Sequence, residues 1–134
     1  PDESPLLSMV SLLLPVIAMG NTAILVPSER YPLLATDFYQ VLDTSDVPAG
    51  VVNIVTGSRK LLSNILAEHD GVDAVWCAGD IEVGADIERR STGNLKQTWT
   101  TAGQRDWFDS RLAEGQEFLR RATQIKNLWI PYGE

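Results

Sequence analysis

Few side chains in this 134-residue chain are of types that react or bind. Cys77 is the only cysteine, so it makes no internal disulfide. As a nucleophile it would need a neighbouring base or a cation to hold the thiolate. The flanking Val75-Trp-Cys-Ala78 offers neither, and Cys77 reads as a small core residue at the end of an apolar strand. His69, the only histidine, rules out a multi-histidine metal site and reads as a solvated helix-end residue in Glu68-His-Asp70. Three charged features remain. Ser58-Arg59-Lys60 at a helix start could attract an anion. Asp80 suits an N-cap for a helix from Ile81. Arg89-Arg90 closes that helix and complements its dipole. Trp99, Trp107, Phe108 and Trp129 fit packing or an interface better than ligand stacking.

The elements that must carry these groups follow from periodicity. Leu6, Leu7, Val10, Leu13, Leu14 and Ile17 share one helical face, which Met9, Leu12 and Val16 widen until most sides are apolar; Gly20-Asn21 supplies the stop. A strand over 22–26 follows, then a helix after Pro32 with Leu33, Leu34, Phe38, Val41 and Leu42 inward. The alternation continues with a strand at 51–55 and a helix at 58–68 with Leu61, Leu62, Ile65 and Leu66 inward. It ends with a strand at 73–77, a short helix at 81–90 and a strand at 95–100. Nearly continuous apolar strands separated by helices of about ten residues are the pattern of a parallel sheet covered on both faces. The expected fold is therefore α/β: a Rossmann-like, doubly wound parallel sheet over 1–109. Residues 110–134 follow as a C-terminal helix (110–123) and a projecting final strand (124–132), whose large apolar groups on both faces call for another sheet edge.

Composition narrows the partners. A formal charge of −7 and a pI near 4.6 disfavour nucleic acid, whose binding depends on basic side chains releasing counterions. An anionic membrane surface is disfavoured on the same ground. The apolar run from Pro5 to Met19 falls short of the roughly 20 residues a span requires, and Pro15 and two serines interrupt it. One unpaired cysteine suits a reducing, cytoplasmic setting. The start at Pro1 suggests a piece of a longer polypeptide.

Read in order, several stretches resemble the aldehyde dehydrogenase superfamily. They are Pro1-Asp-Glu-Ser-Pro-Leu-Leu7, Gly20-Asn-Thr-Ala-Ile-Leu-Val-Pro-Ser-Glu29, Pro48-Ala-Gly-Val-Val-Asn-Ile-Val-Thr-Gly57, Val72-Asp-Ala-Val75, Gly79-Asp-Ile-Glu-Val-Gly84 and Asn94-Leu-Lys96. The tail Gln124-Ile-Lys-Asn-Leu-Trp-Ile130 resembles the family's closing segment. The resemblance implies a cofactor-binding type of Rossmann domain and an oligomerisation strand carrying Ile125, Leu128, Trp129 and Ile130. The family's catalytic domain, with its nucleophilic cysteine, normally lies between the Gly103 region and the closing helix, and here only a few residues do. That arrangement is similar to the degenerate second unit of the two-unit enzymes called aldehyde dehydrogenase family 16.

Position by position, the resemblance implies lost chemistry. The oxyanion-stabilising Trp-Asn-Phe stretch matches Asp2-Glu3-Ser4, and the general-base glutamate matches Thr101, whose hydroxyl does not titrate near neutral pH. The lysine that holds the adenine ribose matches Val26, although Ser28 and Glu29 remain. Glycines after Val-Thr-Gly are replaced by Ser58-Arg-Lys-Leu-Leu-Ser63, where Arg59 and Ser63 would fill the cofactor's space. The serine that meets the pyrophosphate matches Asp80, a like charge. The expectation is a domain without a catalytic residue, metal or cofactor of its own, its vestigial positions being Val26, Ser28, Glu29, Arg59 and Asp80. Its role would be structural, beside a catalytic, NAD-dependent aldehyde dehydrogenase unit in the same chain or a second copy, within a homo-oligomer. The first rival reading is a regulatory module that binds a nucleotide or other anion near Arg59 and Lys60; the second, weaker one is an active fragment.

Overall fold

Strands and helices alternate along the chain: α1 (Pro5–Ala18), β1 (Ala23–Leu25), α2 (Leu33–Asp43), β2 (Val52–Ile54), α3 (Arg59–Glu68), β3 (Ala74–Gly79), α4 (Ile81–Arg90), β4 (Gln97–Ala102), α5 (Ser110–Ala113) and α6 (Gln116–Arg121). A computed structural model describes all residues but Gln104, Lys126, Leu128, Gly133 and Glu134. Among the described residues, every strand pairing is parallel. Ala23 to Leu25 align with Val52 to Ile54, and Ala74 to Gly79 with Gln97 to Ala102. The order of elements and the parallel pairing agree with the expected α/β class. The strands form two two-stranded sheets among the described residues, where one doubly wound sheet was expected. β1 and β2 are shorter than their apolar runs. Pro27 has no N–H to extend the first ladder, and Gly57 at φ +151 turns the chain away after the second.

Among the described residues, three clusters make the core. Ala67, Val75, Cys77, Val83 and Ile87 join α3, β3 and α4. Leu13, Leu42 and Val52 join α1, α2 and β2. Ala78, Trp99, Trp107, Ala113 and Phe118 tie the last two helices onto β3 and β4. Several helices rotate away from the face that periodicity indicates. In α1 the buried residues are Ser8, Met9 and Leu13, while Leu6, Leu7 and Leu14 are exposed. In α2, Ala35 and Leu42 are buried and Leu33 is 73% exposed; in α3, Ser63 and Ala67 are buried and Leu61 is 61% exposed. At Ser8, Ala35, Ser63 and Ala67 a small residue takes the inner face, where it lets the helix approach its neighbours closely. Gly84 in α4 does the same, since a Cβ there would sit 3.2 Å from Cβ of Thr100 on β4.

The C-terminal part departs most from expectation. The single helix over 110–123 is two short helices, broken where Gly115 takes φ +109. Beyond α6, the described residues up to Tyr132 belong to neither helix nor strand within the chain.

Candidate functional site

Parallel pairing puts the carboxyl ends of the strands on common edges, and the segments leaving them carry the charged groups. β3 ends at Gly79, whose φ of +96 turns the chain into α4. Asp80 caps that helix: Oδ1 accepts from the amides of Glu82 at 3.0 Å and Val83 at 3.1 Å. This is the cap expected from sequence. Its other oxygen, Oδ2, lies 3.2 Å from Nη2 of Arg59, the first residue of α3. The backbone amide of Arg59 donates in turn to the carboxylate of Glu29, in the segment leaving β1. Ser58 caps α3 from the other side, its hydroxyl accepting from the amide of Leu61 at 3.5 Å.

Ser28 donates its hydroxyl proton to Asp2 at 2.5 Å and accepts from the amides of Arg30 and Tyr31, both at 3.2 Å. Three of the five vestigial positions, Glu29, Arg59 and Asp80, are thus linked by hydrogen bonds at the ends of β1, β2 and β3, while Ser28 bonds Asp2 and its own turn. Val26 lies half-buried just past β1 and supplies no polar group. A cleft of about 820 Å³ opens beside Arg59 and Asp80, walled in part also by Asp2, Glu3, Arg105 and Phe108; Val26, Ser28 and Glu29 do not line it.

The remaining sequence candidates are dispersed. Cys77 is buried in the α3–β3–α4 cluster, and burial pushes its thiol up, against the smaller opposing pull of Arg59. His69 is exposed, and its Nδ1 accepts from the amide of Gly71 at 3.0 Å. Thr101 lies in β4 with its hydroxyl buried and without a hydrogen-bond partner among the described residues. Arg89 pairs with Asp86 at 3.0 Å and Arg90 with Glu68. Trp99 and Trp107 are core residues, Phe108 is exposed at the cleft, and Trp129 is 93% exposed. Ile125 and Ile130 are exposed as well, while Leu128 lies outside the described residues. No group of three or more potential metal ligands occurs among the described residues, and none of their helices is long and apolar enough to cross a membrane.

Two residues escaped the sequence reading. Lys96 is buried, and its ammonium donates to the carbonyls of Leu66 at 3.2 Å and His69 at 2.6 Å, closing the C-terminal end of α3. A lone lysine inside a strand-like run is the signal that could have found it, because a buried ammonium needs acceptors. Arg105 lies against three rings, with its guanidinium carbon 5.4 Å from the centroid of Trp99, 5.8 Å from Trp107 and 5.2 Å from Phe118.

Parallel strand–helix units with charged groups gathered at the strand carboxyl ends are features of a Rossmann-like class of domain. Comparison with known proteins narrows this further. The aldehyde dehydrogenase family model matches residues 1–108, and the chain belongs to that family. It is 35% identical over 97 residues to betaine aldehyde dehydrogenase of Bacillus subtilis, covering 72% of this chain and 20% of that protein. Against malonate-semialdehyde dehydrogenase 2 of Oceanobacillus iheyensis it is 35% identical over 111 residues, 83% of this chain and 22% of the relative. Among solved structures, the aldehyde dehydrogenase KauB from Pseudomonas aeruginosa superposes with a TM-score of 0.73 at 32% identity, covering 77% of this chain and 21% of that one. An indole-3-acetaldehyde dehydrogenase solved with NAD+ gives 0.66 at 32% identity, covering 69% and 19%. The chain therefore spans about a fifth of the length of the relatives it matches.

Proposed function

We propose that this chain is a non-catalytic aldehyde dehydrogenase domain that binds no dinucleotide and serves the assembly of a catalytic, NAD-dependent aldehyde dehydrogenase unit. That unit lies on the same parent polypeptide or on a second copy, in a cytoplasmic homo-oligomer without nucleic-acid or membrane partners. The arrangement is that of the degenerate second unit of aldehyde dehydrogenase family 16, with 1–109 as the cofactor-domain remnant and 110–134 as the assembly segment.

One observation carries the reading. The donors that a dinucleotide phosphate would use at the strand ends already serve this chain's own carboxylates. Asp80 takes two amides at the start of α4, and Glu29 takes the first amide of α3. The donor set at these helix starts does not fit the cofactor. The chemistry points the same way: the sole cysteine is buried with its thiol pushed up, and Thr101 stands in β4 where the family resemblance calls for a glutamate.

The assembly role is supported by the tail. Ile125, Trp129 and Ile130 are exposed, and the described residues around them pair with no strand of their own chain. A strand that completes another subunit's sheet gains its hydrogen bonds only there. Leu128 belongs to the same proposed contact.

Calorimetric titration with NAD tests the cofactor half of the proposal, with no saturable heat expected. A companion assay for aldehyde-dependent NADH formation should stay at background. In the parent protein, deleting 124–134 should lower the oligomeric state seen by light scattering. Saturable NAD binding, or a deletion that leaves assembly intact, refutes the corresponding half.

A further inference from the structure

We infer that Glu29 and Asp80, joined through Arg59, are resident anions at the strand ends: a built-in carboxylate clasp that keeps two helix N-termini closed to phosphate ligands. The inference rests on the reading that this chain takes no dinucleotide, and it names the residues responsible.

Three segments meet in the clasp. α3 and α4 each have ten residues and direct their N-terminal amides toward the strand ends. Each end carries partial positive charge and donors without helical partners, which is the setting that binds phosphate elsewhere. Here Glu29, arriving from β1, accepts from the amide of Arg59, while Asp80 accepts from Glu82 and Val83. Arg59 is the hinge of the arrangement, because its backbone belongs to one helix start while its side chain grips the carboxylate at the other, 3.2 Å away. Side chains of Arg59 and Asp80 are only 28% and 35% exposed, so the pair is partly shielded from water.

An incoming phosphate would have to displace both carboxylates and break the ion pair. Asp2, Glu3 and Glu82, on the same cleft wall, add negative charge against it. The same geometry predicts that opening the clasp creates an anion site from groups already present: the Arg59 guanidinium and two vacated helix starts.

The test titrates inorganic pyrophosphate into the wild-type chain, Asp80→Gly and the double variant Glu29→Ala/Asp80→Gly, by calorimetry and by thermal shift at low salt. Glycine is chosen because it is tolerated at an N-cap while leaving the amides free. The wild type should show no saturable binding and no shift in melting temperature. The double variant should bind at least about tenfold more tightly than any wild-type signal and should melt higher with pyrophosphate, since two helix starts and a freed cation act together. Should the double variant fail to fold, Asp80→Gly carries the test with the same readouts. A folded variant that gains no pyrophosphate binding overturns the clasp while leaving the cofactor-free reading intact. Pyrophosphate binding by the wild type equal to the variant's also overturns it. NAD binding by the wild type strikes the parent reading instead.

Discussion

Replacing Arg105 by alanine removes the side chain that fastens the last two helices to β4. Its guanidinium is within 5.2–5.8 Å of the ring centroids of Phe118, Trp107 and Trp99. Nη1 donates to the carbonyl of Leu112 at 2.8 Å, and Nη2 pairs with Glu117 at 3.3 Å. The arginine side chain is 17% exposed and Glu117 is 52% exposed, so the ion pair counts for little, about 0–1 kcal/mol. The hydrogen bond from a charged donor is worth about 1.5 kcal/mol and the ring contacts together about 1 kcal/mol. Allowing for non-additivity, Arg105→Ala should cost about 3 kcal/mol. For a chain of this size that lowers the melting temperature by roughly 10 °C. Urea unfolding followed by tryptophan fluorescence measures it well, since Trp99 and Trp107 report directly on this cluster. Arg105→Lys should recover about half, because lysine keeps the charge and loses the planar fork. A stability within about 0.5 kcal/mol of wild type for Arg105→Ala would show that Phe118 and Ala113 hold the segment without the arginine.

Two further outcomes are expected. Lys96→Met leaves the carbonyls of Leu66 and His69 without their ammonium donor and should cost about 2 kcal/mol by chemical denaturation; a neutral result would remove Lys96 as the closing group of α3. Burial raises the Cys77 thiol, so its contribution to stability is intact below the ordinary thiol range and is lost as pH rises past it. Alkylation by iodoacetamide near pH 8 should accordingly be slow in the folded chain and fast in urea, and equal rates in both would contradict the burial.

Much of the fold was legible because apolar runs and amphipathic stretches alternate in a way that only a parallel α/β arrangement satisfies. Asp80 before Ile81 was readable as a cap for the same local reason, since a helix start needs an acceptor within three residues. What local pattern does not carry is the choice of buried face. In α3 the leucine and isoleucine positions suggested one face, yet Ser63 and Ala67 are buried and Leu61 is not. Closeness of approach, set by side-chain volume across the contact, outweighs hydrophobicity at those positions. The break at Gly115 follows the same logic. A glycine inside a helical pattern is compatible with continuation, and only the path back onto Trp99 and Trp107 makes the left-handed turn worthwhile. The link between Arg59 and Asp80 spans 21 residues. Sequence placed each at a helix start and had no means of showing that the two starts face each other.

That link changes the physical reason for expecting this cleft to refuse phosphate. Taken alone, the Asp80 carboxylate would repel a unit negative charge about 4 Å away by about 4 kcal/mol at an intermediate dielectric. With Arg59 3.2 Å from the same carboxylate, the two fields largely cancel at the distance of an incoming ligand, and repulsion by Asp80 shrinks accordingly. Occupancy is left as the stronger barrier: the amides of Glu82 and Val83 both point at one carboxylate oxygen and have no capacity for a second acceptor. Asp80→Asn separates the two causes, since its amide oxygen can keep the cap while the charge is gone. If occupancy governs, Asn at this position leaves pyrophosphate binding near the wild-type level and glycine raises it. Equal gains from asparagine and glycine would return the explanation to charge.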